Sequence, residues 1–170
     1  MLAHATVLVV GAIVSGQPPL EGLPGGPTFA ERPITIAGEV VYGRLTAVHA
    51  DGSLTVALGS DELTVRLWSI RLPDSETASG QQARELVGAH VGRELELEIK
   101  RQATAGGLAA ARIASSGRDL GEELLRAGLA RYCPRQARTP YLQAAEQEAR
   151  QARRGLWSQP SSLSCDGYEQ

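Results

Sequence analysis

The sequence is poor in aromatic residues and in lysine, and its net charge is close to zero. Aromatic residues make up 4% of the 170 residues, Lys100 is the single lysine, the formal net charge is -2 and the sequence pI is about 5.9. A dedicated nucleic-acid binder usually carries a strong basic field, and a protein that stacks bases needs exposed aromatic rings. The composition therefore gives neither class any support.

Cysteine is also scarce, with Cys133 and Cys165 as the only two. Two lone cysteines without a nearby histidine do not make a zinc cluster. A catalytic cysteine is not supported either, because the sequence places neither His49 nor His90 beside one of them. In an exported chain a disulfide is the default expectation. It would tie the tail, 158–170, to the turn between the last two predicted helices and contribute roughly 3–4 kcal/mol to stability.

The N-terminus has the pattern of a targeting segment. Residues 1–16 contain an apolar run, Ala5 to Val14, that is too short to span a bilayer and is followed by small residues before a cut at Gln17. We therefore expect a signal peptide and a periplasmic or secreted protein. The segment has no Lys or Arg, so a misassigned start or a buried strand stays open as an alternative. Residues 17–33 are rich in Pro and Gly and are predicted to form a disordered tether.

The periodicity of apolar residues from 34 to 157 predicts one α+β domain. The predicted strands are 34–50, 54–58, 63–70, 95–99 and 108–114. The predicted helices are 79–91, a helix that Asp119 caps and that runs through Leu129, and 141–154. Asp51-Gly52 suits a tight hairpin turn. Five short strands with an interposed helix fit an OB-type Greek-key barrel, although the pattern alone does not choose it over another α+β fold.

Positive charge concentrates near the C-terminus. Six arginines lie between Arg131 and Arg154, against Glu146 and Glu148. We predict that these arginines form a solvated helix face and not a nucleic-acid-binding surface.

Several short motifs follow one another in an order that resembles a known family. They are Val65-Arg66-Leu67-Trp68-Ser69-Ile70 with Pro73-Asp74, Gly107-Leu108-Ala109, Ala127-Gly128-Leu129-Ala130 and Arg154-Gly155-Leu156-Trp157. Over roughly residues 38–157 the chain resembles a staphylococcal-nuclease-like (thermonuclease) domain. The resemblance implies an α+β fold, a five-stranded OB-type Greek-key β-barrel with three helices. It also implies phosphodiester cleavage with one calcium ion held by carboxylates at the barrel mouth, two phosphate-binding arginines and a glutamate near the attacking water.

The carboxylates that the resemblance implies are mostly replaced. Ser53 stands at the first metal-binding aspartate when the turns are aligned directly, whereas a turn shorter by one residue would let Asp51 approach the site. Arg71 stands at the second metal-binding aspartate and reverses its charge. A cation at that position would repel calcium. Asp74 replaces the glutamate and is one methylene shorter, a difference to which catalytic geometry is sensitive.

The implied arginines are half preserved. Arg66 matches the first phosphate-binding arginine, and Gly106 stands at the second. Each lost group of this kind typically costs about 10²-fold or more in rate. The motifs that survive are scaffold motifs, which predict the fold without predicting the activity.

Three hypotheses follow from these residues. In the first, the domain is exported and catalytically impaired or inactive, needs no cofactor, and binds a phosphate-bearing anion, a nucleic acid or a protein. Arg66 and Arg71 would hold the anion, unless they pair with Asp74 or Glu62. In the second, the chain is a Ca²⁺-dependent endonuclease on DNA or RNA, with Asp51 and Asp74 as metal ligands and Arg66 and Asp74 as catalytic residues. The third is an OB-type oligonucleotide binder. The sequence does not predict the oligomeric state.

Overall fold

The structure is a computed structural model that describes residues 37–102, 108–134, 138–159 and 163–166. The predictions of a signal peptide at 1–16, of a tether at 17–33 and of a lost arginine at Gly106 lie outside these residues. Within the described ranges, no helix is both long and apolar enough to cross a membrane.

Short strands and three helices alternate along the described chain. The strands are β1 (Val40–Val48), β2 (Leu54–Leu58), β3 (Asp61–Leu67), β4 (Ile70–Arg71), β5 (Glu94–Arg101), β6 (Ala109–Ser115), β7 (Arg118–Asp119) and β8 (Arg131–Tyr132). The helices are α1 (Ala78–Gly88), α2 (Leu120–Arg126) and α3 (Pro140–Gln151), followed by one turn of 3₁₀ helix, Gly155–Trp157.

Five of the strands form a closed barrel. Their order is β3-β2-β1-β5-β6 with antiparallel neighbours, and a parallel pairing between β3 and β6 closes the ring. The α+β fold with a five-stranded OB-type Greek-key barrel and three helices is therefore confirmed. β7 pairs antiparallel with the end of β6. β4 and β8 pair with each other as a separate two-stranded ribbon.

The core lies inside the barrel and beneath α2. Strand β5 shows the expected alternation, since Leu95, Leu97 and Ile99 are buried and the glutamates between them are partly exposed. Strand β6 is buried on both faces, which the small side chains of Ala109–Ala111 allow. Burial of apolar area on this scale is the main driving force for folding.

Several predicted boundaries differ from the structure, among them the end of α2, which is Arg126 instead of Leu129, and the end of β1, which is Val48 instead of residue 50. The strand predicted over 63–70 ends at Leu67, because Ser69 adopts a positive φ of 58° that breaks the strand before β4 begins. The first helix ends at Gly88 instead of residue 91, and the last ends at Gln151 instead of residue 154. The break at Ser69 matters most, because it redirects the chain out of the barrel.

Two predicted local features are confirmed. Asp119 caps α2, since its Oδ1 accepts a hydrogen bond from the Glu122 N–H at 3.1 Å. Cys133 and Cys165 form a disulfide with a Cα–Cα distance of 5.6 Å. The bond joins the residue after β8 to the C-terminal segment, as the sequence predicted.

The backbones of two motif glycines touch each other. The carbonyl of Gly128 accepts a hydrogen bond from the Leu156 N–H at 2.8 Å. A Cβ on Gly128 would lie 2.3 Å from the Arg154 carbonyl oxygen, and one on Gly155 would lie 2.4 Å from the Gly128 carbonyl oxygen. The two motifs are therefore halves of one contact that fixes the end of α3 against the end of α2.

Replacement of Gly128 by alanine tests this contact. Gly128 has a φ of +74° as well as the steric overlap, whereas Gly117 has a φ of +76° and nothing within 4 Å. We expect Gly117→Ala to lower the free energy of unfolding by about 1–2 kcal/mol through backbone strain alone. Gly128→Ala should lower it by about 3 kcal/mol or more, because overpacking adds to the strain. Urea denaturation measures both, and equal losses would contradict the contact.

Candidate functional site

A cavity of about 620 Å³ opens beside the β1–β2 turn and the chain that follows β3, and we call it the barrel-mouth cavity. Among the residues that the structure describes, four charged ones line it, Asp51, Arg66, Arg71 and Asp74. The structure therefore brings the sequence-predicted site residues together in one place. Although these residues are separated along the chain, they lie close in space because the β1–β2 turn and the end of β3 are at the same end of the barrel.

The β1–β2 turn places Asp51 at the cavity and Ser53 beneath it. The Asp51 carboxylate oxygen Oδ1 accepts hydrogen bonds from the Ser53 N–H at 3.0 Å and from the Ser53 hydroxyl at 2.6 Å. Ser53 is only 4% exposed and supports the turn, and it is Asp51 that lines the cavity. Of the two turn residues considered, it is therefore Asp51 that the structure places at the cavity.

Arg66 pairs with Asp51 across the cavity wall. The Arg66 Nη2 donates to Asp51 Oδ2 at 3.0 Å, in place of the pairing with Asp74 or Glu62 that the sequence allowed. The hydrogen bond from the Ser53 hydroxyl is the largest cause that lowers the pKa of Asp51 from 3.8 to about 2. The Ser53 N–H and Arg66 lower the pKa further, while partial burial opposes them. Asp51 is therefore ionised at neutral pH.

One donor of Arg66 is left unused. Its Nε is buried and has no hydrogen-bond partner among the described residues. A buried donor without an acceptor costs about 1–3 kcal/mol. An acceptor that reached this edge of the guanidinium would recover that cost.

Arg71 is held by the C-terminal segment. Its Nη1 donates to the main-chain oxygens of Ser164 at 2.6 Å and Asp166 at 3.0 Å. Strand β4 positions Arg71 opposite Arg131 of β8. No sequence pattern indicates this contact, because the partners are main-chain carbonyls more than 90 residues away.

Asp74 lies where the chain enters α1. Its Oδ1 accepts a hydrogen bond from the Glu76 N–H at 3.0 Å, and its carbonyl accepts from the Thr77 N–H at 3.0 Å. Thr77 in turn caps α1 by accepting from the Gly80 N–H at 3.0 Å. The exposed carboxylate of Asp74 is thus fixed at the rim by the start of the helix.

Comparison with known families matches this region of the chain. The family model described as staphylococcal nuclease homologue matches residues 64–159, which include Arg66, Arg71 and Asp74. The chain belongs to the staphylococcal nuclease homologue family. A search of curated proteins gives no significant match. The hairpin that carries Asp51 precedes the matched range.

The lining of the barrel-mouth cavity does not fit the calcium ion that nuclease-family membership implies. Calcium takes six to eight oxygen ligands, with several carboxylates among them. Within the part of the chain that the structure describes, no group of three His, Cys, Asp or Glu residues is arranged to hold a metal. Asp51 already bonds Ser53 and Arg66, and Arg71 adds a second cation to the lining. The positive charges of Arg66 and Arg71 disfavour entry of a calcium ion.

Two arginines of the arginine-rich stretch are neutralised by local contacts. Arg150 pairs with Glu146 at 3.1 Å, and Arg154 pairs with Glu148 at 2.9 Å. The guanidinium carbon of Arg150 also lies 4.0 Å from the centroid of the Trp157 ring. These contacts stabilise α3 and the 3₁₀ turn.

A second cavity of about 390 Å³ contains none of the four predicted residues. It is lined mainly by apolar groups such as Trp68 and Leu142. Its charged residues are Glu98, Lys100, Arg112 and Asp119. Lys100 pairs with Glu98, Arg112 bonds Asp119 at 2.8 Å, and Tyr141 donates to the same Asp119 carboxylate at 2.9 Å. These polar groups are satisfied within the protein, so the barrel-mouth cavity remains the candidate site.

The lowered pKa of Asp51 predicts a pH-dependent contribution to stability. A carboxylate with a lowered folded-state pKa stabilises the fold above its unfolded-state pKa, and the contribution disappears as the pH falls through the folded-state pKa. The advantage of the wild type over Asp51→Asn should be constant above about pH 5, decline as the pH falls through the folded-state pKa of about 2 and vanish only below it. It should stay below about 1 kcal/mol, because half of the Asp51 side chain is exposed. Urea unfolding from pH 2 to 7 measures it, and a pH-independent difference would contradict the network.

Proposed function

We propose that this chain is an exported, catalytically impaired member of the staphylococcal nuclease homologue family that binds a phosphate-bearing anion in the barrel-mouth cavity. The observation that carries the proposal is the presence of two guanidinium groups, Arg66 and Arg71, in the lining of one cavity. Arginine is well suited to phosphate because its planar donors match two phosphate oxygens at once.

The partial exposure of the Arg66 side chain supports an acceptor ligand. Arg66 is 32% exposed, and its Nη2 is engaged by Asp51 while its Nε lacks a partner among the described residues. A phosphate carries more negative charge than the Asp51 carboxylate and offers more acceptor oxygens. It can therefore bind Arg66 while Asp51 keeps its hydrogen bonds to Ser53.

The same lining supports the proposal of impaired catalysis. Metal-assisted cleavage of phosphodiesters relies on a cation that neutralises charge on the phosphate oxygens. In this cavity two arginines supply the positive charge, and the two carboxylates of Asp51 and Asp74 are balanced by them. Arginines can bind the ground state of a phosphate, but they do not generate a nucleophile from water. Binding without turnover is the outcome that this arrangement favours.

The disulfide supports the proposal of export. Disulfides persist in oxidising compartments such as the periplasm and the extracellular space, and they are rare in the cytosol. Both cysteines of the chain are used in the Cys133–Cys165 bond. We propose a periplasmic or secreted protein on this ground together with the predicted signal peptide at 1–16.

Removal of Arg66 tests anion binding. We expect Arg66→Ala to weaken binding of inorganic phosphate and of a fluorescent oligothymidylate roughly 10- to 100-fold, the range of a charge-assisted hydrogen bond. Arg84→Ala is a matched control, because Arg84 is an exposed arginine of α1 outside the barrel-mouth cavity. Calorimetry and fluorescence anisotropy in the presence of EDTA measure the affinities. An equal effect of the two substitutions would overturn the proposed site.

The alternative function is a calcium-dependent phosphodiesterase with a rearranged metal site. It is favoured by one observation, that Asp51 and Asp74 line the same cavity. In that case Asp51 would be essential, whereas in a binding module it competes with the anion for Arg66.

Asp51→Asn separates the two functions because the expected effects have opposite signs. For the binding module, loss of the competing charge should tighten phosphate binding about 3- to 10-fold, since one unit of charge acts at contact distance near the surface. For the phosphodiesterase, the same change should abolish calcium binding and EDTA-sensitive cleavage of single-stranded DNA. Cleavage by the wild type that needs calcium and is lost in Asp51→Asn would establish the enzyme and refute the binding module.

A further inference from the structure

The segment Leu163–Asp166 is fastened to the β4–β8 ribbon, and we call it the tail strap. Arg71 of β4 donates to the carbonyls of Ser164 and Asp166. The Arg131 guanidinium of β8 donates to the Leu163 carbonyl. The covalent anchor is the disulfide between Cys133, directly after β8, and Cys165 within the strap.

The tail strap orients Arg71 without covering it. Among the described residues of the strap, Ser164 and Asp166 both accept from Nη1 of Arg71, at 2.6 Å and 3.0 Å. With the strap in place, Arg71 and Leu163 still line the barrel-mouth cavity. A long arginine side chain on a two-residue strand has many rotamers, and two carbonyl acceptors at fixed positions select one of them. The strap is therefore part of the wall that presents the guanidinium.

We propose that the tail strap is a positioning element of the anion site and that the Cys133–Cys165 bond controls the affinity of the barrel-mouth cavity for phosphate. The proposal rests on the proposed function of anion binding. With the disulfide intact, the strap carbonyls hold Arg71 toward the cavity before the anion arrives, so that little side-chain freedom is lost on binding. With the disulfide reduced, only noncovalent contacts hold the strap, and Arg71 samples other rotamers.

The chemical step is a thiol–disulfide exchange with a dithiol. One dithiol sulfur attacks a sulfur of the Cys133–Cys165 bond, and the resulting mixed disulfide is resolved by the second dithiol sulfur. The dithiol becomes a cyclic disulfide and gives up two electrons and two protons. Cys133 and Cys165 become thiols, and no other oxidant or reductant is needed.

The test compares phosphate affinity in the oxidised and reduced full-length protein, with and without Arg71. We expect reduction by dithiothreitol to weaken binding of inorganic phosphate roughly tenfold in the wild type, the effect of one charge-assisted hydrogen bond. In Arg71→Ala, the affinity should be lower at the outset and change less than about twofold on reduction. Cys133→Ser/Cys165→Ser should behave like the reduced wild type in either redox buffer.

A readout independent of phosphate follows the position of Arg71 itself. Phenylglyoxal modifies accessible guanidinium groups, and peptide mapping gives the rate for each arginine. Reduction should speed modification of Arg71 several-fold. Arg66 is the matched control, because its partner Asp51 belongs to the barrel and not to the tail strap. Its rate should stay unchanged while the barrel remains folded.

The outcomes separate the two proposals. Tighter phosphate binding after reduction would show that the strap obstructs the site, and an equal loss in Arg71→Ala would show a general loss of stability; either result overturns the positioning role. If neither redox form binds phosphate, the proposed function fails. An Arg71 modification rate that does not change on reduction refutes only the positioning role of the strap.

Should the reduced protein unfold, Arg131→Gln retains the disulfide and removes the anchor to Leu163. It should weaken phosphate binding by a smaller factor and raise the rate at Arg71, and no change in either would refute the proposal.

Discussion

The parallel pairing of β3 with β6 closes the barrel, and the geometry of the site depends on it. Val65, Arg66 and Leu67 pair with Ala109, Ala110 and Ala111, so the strand that carries Arg66 becomes a wall of the ring and not an exposed edge. The alanines allow the approach, because larger side chains on a strand buried on both faces would force β3 and α2 away from it. The backbone of Arg66 is thereby held at a fixed position in the barrel wall, and its side chain pairs with Asp51 of the β1–β2 turn.

The break after β3 links the barrel to the C-terminal segment. Ser69 takes a positive φ, and the chain turns into β4, which pairs with β8 beyond the barrel. This short ribbon carries Arg71 on one strand and leads into Cys133 on the other. One cavity therefore combines residues held by barrel closure with a residue held by the tail strap, and the two halves have different sources of rigidity.

Much of the fold was predictable because it follows from local periodicity. The alternation of Leu95, Leu97 and Ile99, the cap at Asp119 and the glycine at 128 each act over a few residues, so the sequence carries their signal directly. The likeness to the nuclease family added the barrel topology, which the pattern alone did not select. Strand β3 was predicted to end three residues too late, because nothing in Trp68-Ser69 indicates a left-handed backbone.

The residues that line the site could be predicted from the sequence, but the contacts between them could not. The likeness to the family marked Asp51, Arg66, Arg71 and Asp74, and the structure places them around one cavity. The Asp51–Arg66 pair and the grip of main-chain carbonyls on Arg71 were not foreseen. Such contacts depend on where distant backbone segments end in space, and carbonyl acceptors have no signature in the residue types.

The disulfide also determines how the C-terminal part of the molecule responds to mechanical force and to proteolysis. Cys133 and Cys165 are 32 residues apart, and the covalent loop between them encloses α3 and the 3₁₀ turn. A pull on the C-terminus is transmitted through sulfur to the end of β8, so α3 carries none of the load. A single cut between Pro134 and Ser164 leaves the two fragments joined through the disulfide in one molecule.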